Sequence, residues 1–229
     1  MRNIFLIVRY ELLQIRREPQ FLVPYFLVPL IMIGIYAVYL LSSGPLKQEG
    51  IFISRLLMIL VGVLVSSMTL ALCADSFAGE KERNTLEILL CAPVSLRVLF
   101  WGKVLGIFPL SVMVGWLGQA VVLGLAVSSD LVSWGLVHVV LVFLLTPASA
   151  LFITSFSIFI SLRAETVRGA AQISGIFVLF FLLSIQAVSH WFFLSPWNAA
   201  GLLGTLFILS LLIIYRCMVK FEYVIYHVK

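Results

Sequence analysis

Nearly uninterrupted apolar runs constrain this chain more than any other feature. Six of them, residues 21–42, 52–74, 98–127, 131–162, 167–188 and 198–218, are each long enough for a helix across a hydrocarbon core, which needs about 20 residues. They are continuous rather than alternating and roughly two to three times the length of a barrel strand, which disfavours a β-barrel. A soluble globule is excluded by composition: 62% of the 229 residues are hydrophobic and only 11% charged, against about 25% charged in soluble domains. The same composition excludes disordered, collagen-like and disulfide-rich secreted classes. The expected fold is therefore an all-α polytopic membrane protein with six transmembrane helices, organised as a single domain over residues 1–229. The third and fourth runs exceed one crossing and are expected to tilt, to bend near Pro109 and Pro147, or to project beyond the lipid.

Basic residues set the expected orientation. With a cytoplasmic amino terminus, Lys47 and Arg55 are the outer exceptions among the 15 Lys and Arg residues, so the positive-inside bias predicts both termini in the cytoplasm and a multi-pass protein of the cytoplasmic (inner) membrane. The net charge of +5 is then a topology signal that also suits anionic lipids, and nucleic acid is not an expected partner. Arg9, Glu11, Arg16 and Arg17 interrupt what would be the apolar core of a cleavable signal peptide, so the first span is expected to be retained. Cys73, Cys91 and Cys217 lack metal-ligand or redox spacing and read as reduced, structural thiols.

Three segments lie between or before the runs. Residues 1–19 form an amphipathic stretch, with Ile4, Val8, Leu12 and Ile15 at helical spacing beside Arg2, Arg9 and Arg16, and a helix lying in the membrane surface is expected. It serves either as a plain anchor or as part of the mechanism. Residues 189–197 are aromatic and expected as an outer segment, anchoring by Trp191 and Trp197 or dipping back as a re-entrant turn. Residues 75–97 form the cytoplasmic segment: Asn84 and Glu87 make a capping pair and Pro93 a stop, which predicts a short helix over 85–91 with Leu86, Leu89 and Leu90 on one face. On these residues alone, a helix packed back on its own bundle is the simpler reading, and docking on a soluble partner the alternative.

The stretch Phe77-Ala78-Gly79-Glu80-Lys81-Glu82-Arg83-Asn84-Thr85-Leu86-Glu87-Ile88-Leu89-Leu90-Cys91-Ala92-Pro93-Val94-Ser95, followed by Gly102-Lys103, resembles the ABC-2 type transporter permeases, the membrane subunits of ATP-driven exporters. Tyr10-Glu11, Arg16-Arg17-Glu18-Pro19 and Pro29-Leu30 are similar to the family's surface helix and first-span entrance. Asn84 stands where the family commonly has Gly or a basic residue, and the large outer domain of some relatives is replaced by a short loop, as in compact permeases. The resemblance implies that the helix between spans two and three, with the surface helix, docks on a nucleotide-binding subunit and transmits its closure. Gly79, Glu80, Lys81, Glu82, Thr85, Leu86, Glu87, Leu90 and Pro93, with Glu11, Arg16 and Arg17, become the candidate coupling residues. It further implies two copies of a cytosolic ABC ATPase, and a homodimer or a heterodimer with another permease.

No phosphate-binding loop is present, since Gly102-Lys103 lacks the upstream glycine and is followed by Val104. ATP and Mg are thus expected on the partner; no cofactor, metal site or catalytic residue is expected on this chain. Lys103 is expected to snorkel to headgroups or to pair with Asp75 or Glu87. Gln119, His138, Gln172 and Gln186 are the polar exceptions within the runs, either as interhelix hydrogen-bonding groups or as pathway residues. Gly102 with Gly106, and Ala200 with Gly204, are spaced for close helix packing. The function expected is outward movement of a substrate, lipid-like or amphipathic by the apolar composition. The alternatives are a permease-like anchor or drive component of an envelope or motility machine and, further off, an intramembrane channel or enzyme.

Overall fold

The structure is a computed structural model and describes residues 7–9, 13, 19–43, 47–67, 69–83, 96–130 and 135–227. Its helices are α1 (Pro19–Ser43), α2 (Lys47–Ser67), α3 (Thr69–Ala74), a π-helical turn (Asp75–Gly79), α4 (Glu80–Glu82), α5 (Leu96–Ser128), α6 (Leu136–Arg163), α7 (Val167–Leu194) and α8 (Pro196–His227); no strand occurs among the described residues. Five helical stretches there are long and apolar enough to cross a membrane, and a shorter apolar one, Phe26–Leu41, lies within α1. The 25 residues of α1 rise about 37 Å. This is the layout of a polytopic helical membrane protein.

Helix ends follow local chemistry. Pro19 and Pro196 each occupy a first helical position, where a missing N–H costs nothing. Ser195 is extended, as a residue before proline prefers, and its hydroxyl accepts from the Trp197 N–H at 3.3 Å. Helix therefore runs to Leu194 and resumes at Pro196. The aromatic segment expected to link two spans over 189–197 is instead the end of one helix and the start of the next, with only Ser195 between them. At the α5–α6 turn, Asp130 takes a positive φ of 53°, a left-handed conformation that Asp tolerates better than most residues.

α6 is the central helix, packed against α2, α5, α7, α8 and the π-helical turn. Lipid offers no hydrophobic gain for pairing apolar helices, so close approach and hydrogen bonding must hold them. Here the close approaches are at Gly62, Gly115 and Gly118: a Cβ on Gly115 would lie 2.6 Å from Thr146 Cγ2, and one on Gly118 would lie 2.7 Å from Val61 Cγ1. Ala200 and Gly204 are exposed and a Cβ on Gly204 meets nothing within 4 Å, so that pair is not a packing seam among the described residues. Exposed Leu, Ile and Phe side chains cover the outer faces of α1 and α7, as lipid-facing surfaces do.

Candidate coupling site

The span begun by α2 does not stop at Ala74, where the apolar run ends. Helix continues through the π-helical turn to Glu82, so Gly79 to Glu82 form the tip of a transmembrane helix and not a detached segment. A π turn interrupts the regular backbone ladder. Ser161 of α6 is inserted at that point: its hydroxyl donates to Ala74 O at 2.9 Å and accepts from the N–H groups of Ala78 at 2.9 Å and Phe77 at 3.3 Å. The groups that the irregular turn would leave unsatisfied in an apolar bundle are thereby paired.

Successive helical residues point about 100° apart, so three consecutive polar residues at a helix tip address three different neighbours. Glu80 reaches α5, where Lys103 Nζ donates to its Oε1 at 2.8 Å and to Ser76 O at 2.7 Å. That ammonium is almost wholly buried, at 3% exposure, and lies 5.0 Å from the centre of the Phe77 ring. Lys81 reaches the end of α6, donating to the carbonyls of Leu162 and Ala164, where carbonyls lack partners and the helix dipole favours a cation. Glu82 reaches the start of α7, its Oε2 accepting from the Val167 N–H at 3.1 Å, where the dipole favours an anion.

Arg83 folds back to pair with Asp75 at 3.1 Å, across Gly79. A Cβ on Gly79 would lie 2.1 Å from Asp75 Oδ1 and 2.9 Å from Arg83 Nη2, so glycine leaves room for that bridge. Lys103 pairs with Glu80, not with Asp75, which is held by Arg83; the expected partner Glu87 lies outside the described residues. Buried as it is, Lys103 does not snorkel to headgroups. One residue before it, Gly102 receives Ile7: a Cβ there would lie 2.6 Å from Ile7 Cγ2. The amino-terminal stretch, helical at residues 7–9, thus rests beside the Lys103–Glu80 pair.

Among the other residues singled out in the sequence, Thr85, Leu86, Glu87, Leu90, Pro93, Glu11, Arg16 and Arg17 lie outside the described residues, as do Asn84 and Cys91. Gln119 is fully buried and joins three helices, donating to Met58 O of α2 at 3.1 Å and Val142 O of α6 at 3.4 Å, and accepting from Thr146 Oγ1 at 2.9 Å. Ser66 and Ser149 continue this polar seam at 3.2 Å. His138 stacks on Phe193 at the opposite end of the bundle, Gln172 is exposed on α7, and Gln186 is half-buried there. The four intramembrane polar residues are therefore dispersed; among the described residues Gln119 hydrogen-bonds between helices and His138 bridges α6 and α7 by stacking. Cys73 and Cys217 are buried and not disulfide-bonded. Ser161, Thr146 and Ser66 escaped sequence reasoning; their only sequence signal is a hydroxyl within an apolar run.

A family model described as ABC-2 type transporter matches residues 2–189. The chain belongs to the ABC-2 type transporter family. No curated protein matches it. Membership makes it a permease component of an ABC transporter, a multi-pass membrane protein that is not itself the ATPase and that works with an ATP-binding partner subunit. The matched region takes in α1 to α6 and most of α7, including every contact of the Glu80-Lys81-Glu82 tip.

Proposed function

We propose that this ABC-2 permease moves a lipid-like or amphipathic substrate outward across the cytoplasmic membrane, driven by ATP hydrolysis on two copies of a cytosolic subunit. Two permease chains, identical or similar, form the translocation unit, and both termini of each face the cytoplasm. The observation that carries this reading is the Glu80-Lys81-Glu82 tip, whose three side chains engage α5, α6 and α7. A force applied where the chain continues beyond Arg83 is delivered to three spans at once. Rigid-body motion of packed helices is how small shifts at one site become opening or closure elsewhere. The adjoining residues Thr85, Leu86, Glu87, Leu90 and Pro93 would then meet the ATPase, with Glu11, Arg16 and Arg17 of the amino-terminal stretch contributing.

Co-purification with an ABC-type ATP-binding subunit, together with ATP-dependent accumulation of a fluorescent amphiphile in inverted vesicles, tests the proposal. Glu82→Arg with Leu86→Asp is expected to abolish association and accumulation. Association that survives this pair of changes sinks the assigned docking surface. Normal association and ATP hydrolysis without accumulation would mean that the complex does mechanical work and not export.

A further inference from the structure

Beyond that reading, the end of the bundle opposite the Glu80-Lys81-Glu82 tip holds a shallow cleft lined by Phe52, Arg55 and Leu56 of α2 and by Ser189, His190 and Phe193 of α7. We propose that it binds the phosphate-ester headgroup of an anionic amphiphile. Among the described lining residues two side chains are basic and none is a carboxylate. The Arg55 guanidinium stands 5.2 Å from the centre of the Phe193 ring beside the cleft, and a guanidinium fork matches phosphate oxygens. A second observation points the same way. His138 of α6 stacks on the same Phe193 ring at 6.1 Å, and its Nε2 is buried with no hydrogen-bond partner among the described residues. Arg55 of α2 and His138 of α6 thus meet on one aromatic ring of α7, and His190 of α7 lines the same cleft.

Depth in the bilayer selects the ligand class. Trp191 and Trp197, the residues on either side of this helix break, are exposed, and exposed Trp marks the level of lipid headgroups. A headgroup held at the mouth of the cleft would leave its acyl chains to run along the apolar walls of Phe52 and Leu56 into the bilayer.

The purified full-length chain, titrated with phosphatidylglycerol or phosphatidylcholine and examined by native mass spectrometry, tests this. Wild type is expected to retain phosphatidylglycerol about tenfold better than phosphatidylcholine, the worth of one charge-assisted hydrogen-bond set. Arg55→Gln and the exposed-site variant His190→Gln are each expected to lose most of that preference, and Arg216→Gln, at the other end, to keep it. Displacement by glycerol 3-phosphate would show that the headgroup alone is recognised; no displacement would show that the site takes it only from a lipid. Equal retention of both lipids by wild type, or an unchanged preference in His190→Gln together with Arg55→Gln, overturns the proposal. Neither result depends on the ATPase.

Discussion

Removal of one partner from the Lys103–Glu80 pair should be unequal in cost depending on which partner goes. Lys103 is 3% exposed and Glu80 17% exposed. Glu80→Ala leaves a buried ammonium without the Glu80 carboxylate, still bonded to the Ser76 carbonyl and beside the Phe77 ring of the π-helical turn, where water cannot easily reach it. Breaking a buried pair in this manner costs about 3–5 kcal/mol. Lys103→Met leaves a carboxylate that can turn towards solvent at the helix tip, so its cost should be smaller, about 1–2 kcal/mol, set by the lost hydrogen bonds. The double variant removes both charges and should be less destabilised than the sum of the singles by about 1–3 kcal/mol. Unfolding of the purified chain by graded sodium dodecyl sulfate in mixed micelles supplies the four midpoints of the cycle. Additivity within about 0.5 kcal/mol, or a larger loss for Lys103→Met than for Glu80→Ala, would refute the reasoning that a desolvated ammonium is held by this carboxylate.

Gly62→Ala puts a methyl 2.4 Å from Gln119 Nε2 and 2.5 Å from Thr146 Oγ1; a loss of about 1–3 kcal/mol is expected, partly recovered by Gln119→Ala in the same unfolding assay. Gly102→Val should separate residue 7 from α5 and expose the amino-terminal segment to limited proteolysis, with Ile7→Ala restoring protection. Asp130→Val, forcing a β-branched residue to positive φ, should destabilise by about 1–2 kcal/mol while Asp130→Asn costs less. Ser161→Ala leaves the N–H groups of Phe77 and Ala78 without their acceptor, so hydrogen exchange at those two amides should accelerate relative to the rest of the helix.

The spans were legible because each is a local property: twenty apolar residues in lipid have no alternative to a helix that satisfies its own backbone. Their ends were less so. Asp75, Glu80, Lys81 and Glu82 look like loop by charge, yet they are helical: Asp75 pairs with Arg83, and Glu80, Lys81 and Glu82 find partners on α5, α6 and α7. Ser195-Pro196 carries the local signal for the start of α8, a cap followed by proline, but the aromatic run before it resembles an outer segment. Gln119 stands out as a polar group within an apolar run, although nothing local reveals that Met58, Val142 and Thr146 are its partners.

By itself, the sequence determined the solvent, the helical class, the spans and the family, since composition, run length and motif are readable residue by residue. Tertiary structure alone decided which span each of Glu80, Lys81 and Glu82 holds, that Lys103 belongs to Glu80 and not to Asp75, and that Ser161 completes a π turn more than eighty residues away. Those pairings depend on helix rotation and crossing. A rotation of one residue, about 100°, would send every one of these side chains to a different neighbour, and the packing of glycines and hydroxyls across α2, α5 and α6 is what sets that angle.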